Sequence, residues 1–305
     1  MNIGTFQEYL LAKQSVDDRA LNKDVLAALK AHLPPAPLSI VEVGAGIGTM
    51  LVRLLRWEIL SDAEYLLIDE MADNVSFGME FVSKWAEENG FKVLSVGADT
   101  LHLSNPSRSI TAKFIHANMF DFISSRPSPA DLLIAHAVLD ILPLPESLPR
   151  LFSLTKDLAW LTINFDGASI LKPAIDPALD RRIERLYHET MDSRPGGGES
   201  QSGQNLFAYL DQFKADILEA GSSDWVVYPR QGKYTVDEAA FLQYILGFFE
   251  ESLTAHPDLD TGKFSRWLDT RRNQIAKGEL VYIAHQLDFL VGVYKNHPIP
   301  SMGKP

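Results

Sequence analysis

Three kinds of residue stand in this chain at spacings that suit chemistry. Gly44, Gly46 and Gly48 alternate directly after an apolar run, Leu38 to Val43, and before a helix-like pattern from Met50 to Trp57. Glycines let a backbone turn sharply and pass close to a ligand, and the free N–H groups at a helix start meet a ligand's polar end. Two acids, Asp69 and Glu70, close a second apolar run, Glu64 to Ile68. A carboxylate there can accept both hydroxyl protons of a ribose. His136 ends a further apolar run that starts at Asp131, and Asp140 follows it. An unperturbed imidazole accepts a proton near neutral pH, so His136 is the candidate catalytic base and Asp140 the second. Each of these also has a plainer use: a glycine turn serves other α/β domains, and a strand-end histidine can simply bond the chain.

Spacing separates the cofactor classes. The dinucleotide fingerprint is G-x-G-x-x-G with an acid about 20 residues on. Here the third glycine arrives one residue early, at Gly48, Thr49 stands where the fingerprint wants glycine, and Glu42 precedes the first glycine by two positions. This E-x-G-x-G-x-G pattern resembles motif I of the class I S-adenosylmethionine-dependent methyltransferases. Lys113 to Asp121 resembles that family's third strand with the segment after it, and Asp131 to Leu142 resembles motif IV and its continuation. Motif order and spacing carry the resemblance over roughly residues 38 to 166.

The resemblance implies S-adenosyl-L-methionine as cofactor and a set of positions for it. Gly44, Ala45, Gly46 and Gly48 pass under the methionine part, and Glu42 orients the loop or the amino group. Asp69, with Glu70 beside it, takes the ribose hydroxyls. Asn118 and Met119 take the adenine, although the family more often has Asp at the first of these. Backbone near Ala135 and His136 closes the site. The sulfonium is already an activated leaving group, so the protein mainly supplies alignment. A base is needed only where the acceptor must lose a proton.

The elements that hold these residues follow from patterning. Residues 1–37 read as a helical segment that ends in Pro34-Pro35-Ala36-Pro37. Strands and helices then alternate, which predicts an α/β fold with a doubly wound, seven-stranded, mostly parallel sheet (the Rossmann-like methyltransferase fold). The core is expected over 38–170 and 204–305. Strand five is read over Leu158 to Phe165, strand six over Ala220 to Tyr228 and strand seven over Leu280 to Tyr294. A helix over Asp73 to Glu88 leaves 91–112 without an assignment. Two segments exceed the core. One is an insertion or lid over 171–203, with a helix start at Asp176-Pro177 and a glycine-rich stretch containing Arg194 and Glu199. The other is a helical cap over 235–279, opened by a capping box at Thr235 and Glu238. Both are expected over the carboxyl ends of the strands, where open α/β sheets bind ligands. His188, Arg194 and Glu199 could then enter the site.

Bulk properties narrow the partners. The 305 residues carry a formal net charge of −12, and no run of Lys and Arg exceeds two. Such a field disfavours nucleic acid. There is no cysteine, which excludes disulfides and thiolate chemistry. His116, His136 and His285 are too scattered to suggest a metal. No apolar run approaches the ~20 residues of a membrane span, and a cytoplasmic location is the expectation. The leading reading is methyl transfer to the O, N or C atom of a small-molecule acceptor in an enclosed site. A nicotinamide-dependent oxidoreductase and a non-catalytic S-adenosylmethionine-binding protein are the alternatives. Oligomeric state stays open.

Overall fold

The computed structural model describes residues 5–125 and 127–293. Two helices, α1 (Phe6–Ala20) and α2 (Lys23–His32), precede β1 (Leu38–Val43), α3 (Thr49–Arg56), β2 (Asp62–Asp69) and α4 (Ala72–Glu88). A hairpin pair follows, β3 (Lys92–Ser95) and β4 (Thr100–Asn105), and leads into β5 (Arg108–His116). Then come α5 (Met119–Ser124), β6 (Ala130–His136), a 3-10 turn (Leu139–Ile141), α6 (Leu144–Phe152) and β7 (Thr155–Lys172). The chain closes with α7 (Pro177–Asp192), α8 (Ser202–Gln212), β8 (Asp216–Ser222), β9 (Trp225–Val227), α9 (Val236–Leu253), α10 (Thr261–Ala276) and β10 (Val281–Gly292).

One sheet runs in the order β3-β4-β5-β2-β1-β6-β7-β10-β8, with β9 beside β10. The five central strands, β5 to β7, pair in parallel, and β10 is antiparallel to β7, β8 and β9. The expected α/β, mostly parallel, Rossmann-like sheet is therefore present. Side chains alternate across it. Ile40, Leu132 and Trp160 join a core with the α1–α4 side, whereas Val41, Leu133 and Leu161 join a second core with the α6 and α8 side. Burial on both faces explains why these strands read as unbroken apolar runs.

Three differences from the sequence reading have local causes. Residues 91–112 form β3, β4 and the start of β5, a meander on the sheet edge closed by the tight Pro106-Ser107 turn between Asn105 and Arg108. Its strands are short and half-exposed, so they lack the apolar run of a central strand. The segment expected as strand six divides into β8 and β9 at Ser223-Asp224, because Asp224 accepts from Gln286 N and His285 Nδ1 and bends the chain there. Strand five does not stop at Phe165: β7 runs on to Lys172, paired with β10 as far as Val281. Tyr294, read as the end of strand seven, lies outside the described residues.

The extra helices dock on this raised strand pair and on α1. Tyr9 of α1 meets Phe248 at 5.0 Å between ring centres, and Tyr187 of α7 stacks on Phe249 at 4.0 Å. Asp180 of α7 accepts from Trp267 Nε1 (2.7 Å) and Arg271 Nη2 (2.8 Å) of α10. Among the described residues no helix is long and apolar enough to cross a membrane, and no cluster of three His, Cys, Asp or Glu could hold a metal.

Candidate functional site

The glycine turn sits between β1 and α3, at the carboxyl edge of the sheet. Gly44, Gly46 and Gly48 all have positive φ, +62°, +55° and +79°, where a side chain is strained. A Cβ would meet a different neighbour at each: Val138 Cγ2 at 2.8 Å from Gly44, Leu10 Cδ1 at 3.0 Å from Gly46, Val82 Cγ2 at 2.9 Å from Gly48. Gly48 thus lets α3 start against α4 and β2 and points away from the site. Gly44 lets the turn touch the loop after β6, and Gly46 lets α1 come down upon it.

A cavity of about 190 Å³ opens above this turn. Its floor is Gly44 to Ile47 with Thr49. One wall is Ile68, Asp69, Glu70, Met71 and Asn74; another is Ala117 and Met119; a third is His136, Ala137, Val138 and Ile141; the roof is Phe6, Leu10, Lys13 and Asp17 of α1. The cavity lies where strand order reverses, between β1 and β6, the usual binding position in open α/β sheets. The segments singled out in sequence thus converge on one space.

Each carboxylate there is differently occupied. Asp69 is 8% exposed. Its Oδ2 accepts from Gly46 N (2.8 Å), and its Oδ1 accepts from Met71 N (2.9 Å) and Asn74 Nδ2 (3.0 Å). Burial raises its pKa against the pull of these donors. Two lone pairs per oxygen leave one acceptor position, on Oδ2. Glu70 borders the cavity and accepts from Asn118 Nδ2 at 3.1 Å. Asn118 itself does not line the cavity. Its carbonyl oxygen accepts from Phe120 N (2.9 Å) and caps α5, which aims Met119 and Ala117 inward.

Glu42 is absent from the cavity wall. It is buried behind the glycine turn, accepts from Tyr65 Oη at 2.7 Å, and burial lifts its pKa to about 8. At neutral pH it is an uncharged group that props the turn from below.

His136 lines the cavity, and both ring nitrogens are engaged. Nδ1 meets Thr162 Oγ1 at 2.7 Å, and Nε2 meets Asp17 Oδ2 at 3.0 Å with Arg53 Nη1 at 3.3 Å. Burial, joined by the Lys13 and Arg53 charges, holds its pKa down to about 4 despite Asp17. The neutral ring donates from Nε2–H to Asp17 and accepts the Thr162 hydroxyl at Nδ1, so neither nitrogen faces an acceptor free. Asp140 is half-buried in the 3-10 turn between the cavity residues Val138 and Ile141 without lining the cavity itself.

The roof is what the sequence reading missed. No cavity-lining residue comes from 171–203 or 235–279; α1 occupies that place, and α9 packs behind α1. Asp17 is the hub that seats it. Its Oδ2 meets Lys13 Nζ (3.1 Å), Arg53 Nη2 (3.2 Å) and His136, and its Oδ1 accepts from Trp225 Nε1 (2.8 Å). Burial opposes its ionisation, but Lys13, His136 and Arg53 outweigh that and hold the carboxyl well below the usual range. The available signal was periodicity: Phe6, Leu10, Lys13 and Asp17 share one helical face, so two charges continue an apolar stripe. Of the insertion residues considered, Glu199 turns outward to Asn205 and Tyr209, and His188 meets Ser169 inside the cap.

No protein-family model and no curated protein sequence matches this chain. Solved structures do. The cyclopropane synthase MmaA2 from Mycobacterium tuberculosis is similar at 10% identity and a TM-score of 0.45, covering 96% of this chain and 100% of that one. Mycolic acid cyclopropane synthase CmaA1, complexed with SAH and CTAB, gives 13% identity and 0.44, over 95% and 86% of the two chains. A Haemonchus contortus phosphoethanolamine N-methyltransferase, in complex with phosphomonomethylethanolamine and S-adenosylhomocysteine, gives 10% and 0.43, over 95% and 58%. Likeness this distant carries no statement about chemistry, since one fold hosts many activities. The cavity's own residues have to carry it.

Proposed function

We propose that the protein is an S-adenosylmethionine-dependent methyltransferase acting on a small-molecule acceptor. The observation that supports this reading is the convergence of the glycine turn, Asp69 and Glu70, Met119 and His136 on one roofed cavity at the switch point. The donors and acceptors present fit the cofactor. Among the described residues, Lys13 is the only lysine or arginine that lines the cavity, and it suits the methionine carboxylate. The free position on Asp69 Oδ2 takes one ribose hydroxyl, and Glu70 takes the other. Ala117 and Met119 give the adenine an apolar face, and Asn118, outside the wall, holds Glu70 in place beside it. Bound there, the cofactor would supply an activated sulfonium methyl for the acceptor's lone pair, with a neutral thioether as leaving group.

The chain's own contribution is alignment and exclusion of water. Phe6, Leu10 and Ile141 surround the space with apolar surface, which favours an enclosed, small acceptor. His136 serves as a neutral donor that fixes Asp17, and through it Lys13, above the cofactor. A base at His136 finds no support in this geometry.

Calorimetric titration with S-adenosylmethionine, S-adenosylhomocysteine and NADH tests the reading. One-site binding of the first two alone is expected. Asp69→Ala should weaken both by about 1.5–3 kcal/mol, the range for a lost hydrogen bond to a charged group. Binding of NADH alone, or an Asp69→Ala variant with unchanged affinity, overturns it.

A further inference from the structure

Resting on that reading, we propose that Gln7 is a positioning residue for the cofactor site: through Asn74 it orients the Asp69 carboxylate that takes the ribose, and it ties the roof helix α1 to that ribose. Gln7 Nε2 donates to Asn74 Oδ1 at 2.7 Å, and Asn74 Nδ2 donates to Asp69 Oδ1 at 3.0 Å. Three elements meet in this relay: the first turns of α1 and α4 and the end of β2. Gln7 is 9%, Asn74 2% and Asp69 8% exposed, so both bonds are made out of reach of bulk water. Asn74 and Asp69 line the cofactor cavity, and Gln7 stands behind them without lining it.

Chemistry sets the direction of each bond. A carboxylate only accepts, so Asn74 must turn its NH2 toward Asp69. Its carbonyl oxygen then faces α1, where only a donor satisfies it, and the Gln7 NH2 supplies one. An acceptor at position 7 would turn the Asn74 amide over and set its oxygen against Asp69. Met71 N and Gly46 N hold the carboxylate from the backbone, and Asn74 is its only side-chain donor among the described residues. With Oδ1 filled by Met71 N and Asn74 Nδ2, the open lone pair is the one on Oδ2. With Asn74 turned away, Oδ1 opens as well, and a ribose hydroxyl no longer meets one fixed acceptor.

The relay also divides the anchoring of α1. Its far end is seated by Asp17 on Arg53 and His136. Its first turn, which brings Phe6 to the cavity, is tied to α4 and β2 through Gln7. A ligand that strengthens the hold on Asp69 therefore strengthens the hold on this turn, and the coupling is reciprocal. The ribose of the cofactor and the start of the roof helix favour each other.

S-adenosylhomocysteine is titrated into Gln7→Met, which keeps the length but has no donor, and into Gln7→Glu, which puts an acceptor in its place, each with Asp69 present and in the Asp69→Ala background. Gln7→Met should weaken binding about fivefold and Gln7→Glu more, as expected for a bond left unmade on a buried polar group. In the Asp69→Ala background both should change it by less than about twofold, because the effect travels through Asp69 and the two sites are not independent. A helix that merely packs would lose the same factor in both backgrounds. Equal losses, or no loss in either variant, overturn the proposal. Amide exchange of unliganded wild type and Asp69→Ala tests the relay without a change at position 7. Exchange over residues 9–12 should speed up more than over 16–19, and a parallel change in the two segments overturns the proposal. Wild-type protein that does not bind S-adenosylhomocysteine overturns the methyl-transfer reading instead, and the exchange comparison still decides the link from Asp69 to α1.

Discussion

Glu42 is a carboxyl group that the fold keeps from ionising. Its pKa of about 8 follows from burial, only partly offset by the Tyr65 hydroxyl. A carboxyl whose pKa rises on folding binds its proton more tightly in the folded chain than in the unfolded one. Stability therefore falls as pH rises from about 5, just above the ordinary carboxyl range, to about 8, and levels off beyond. Glu42→Gln keeps the shape and an acceptor for Tyr65 but has no proton to lose. Thermal melts at several pH values should show the wild type losing stability across that window and the variant losing less. Parallel curves would mean that Glu42 is ionised throughout. The glycines separate in the same way. Gly48→Ala adds a Cβ 2.9 Å from Val82 at positive φ and should cost about 2–4 kcal/mol of stability, from backbone strain and overpacking together. Gly46→Ala presses only on the flexible end of Leu10 in the roof, so its larger effect should be on cofactor affinity. Equal losses of affinity in the two variants would contradict the inward placement of Gly48.

At the scale of elements, α1 behaves as part of the site. It starts at a capping box formed by Thr5 and Glu8, and Arg19 near its end pairs with the buried Glu238 of α9. Asp17, braced by Lys13 of the same helix, seats it on Arg53, His136 and Trp225. Removing one partner from a buried charge cluster leaves the others uncompensated, a loss of about 3–5 kcal/mol. Asp17→Asn should therefore destabilise the chain by an amount near the lower end of that range, since Arg53 keeps Asp18. It should also speed amide exchange over residues 6–20 more than over the sheet, and weaken S-adenosylhomocysteine binding through Lys13. Exchange that stays unchanged in α1 would show that the helix is held by its apolar face alone. The same scale explains the long β7: its upper half pairs with the start of β10, and this raised ribbon is the platform on which the cap helices rest.

For the whole molecule, two cores on opposite faces of one sheet make the base, and α1, α7, α9 and α10 add a cap joined to it by aromatic contacts, Phe165 with His188 and Phe241 with Tyr282, and by the buried Asp17–Arg53 pair. A ligand that bridges base and roof should stabilise both together. At a hundredfold excess over its dissociation constant, S-adenosylhomocysteine should contribute about 2.7 kcal/mol, a rise of roughly 4 °C in melting temperature for a chain of 305 residues. Amide protection should appear at the glycine turn and across α1. A shift confined to the turn would mean that the roof does not close on the ligand.

Patterning along the chain carried the central strands of the sheet and the floor of the cavity, but not the β3–β4 edge or the break between β8 and β9. Central parallel strands are buried on both faces, so they are written as continuous apolar runs. A turn that needs positive φ is written in glycine, so Gly44 to Ile47, Asp69, Met119 and His136 were legible as walls of one cavity. Tertiary structure alone decided what closes it. Whether Lys13 and Asp17 face solvent or a cavity depends on which surface α1 docks against, and no local pattern fixes that docking. The states of Glu42 and His136 were hidden for the same reason: a carboxyl and an imidazole take their charge from the groups brought around them, and those groups come from distant parts of the chain.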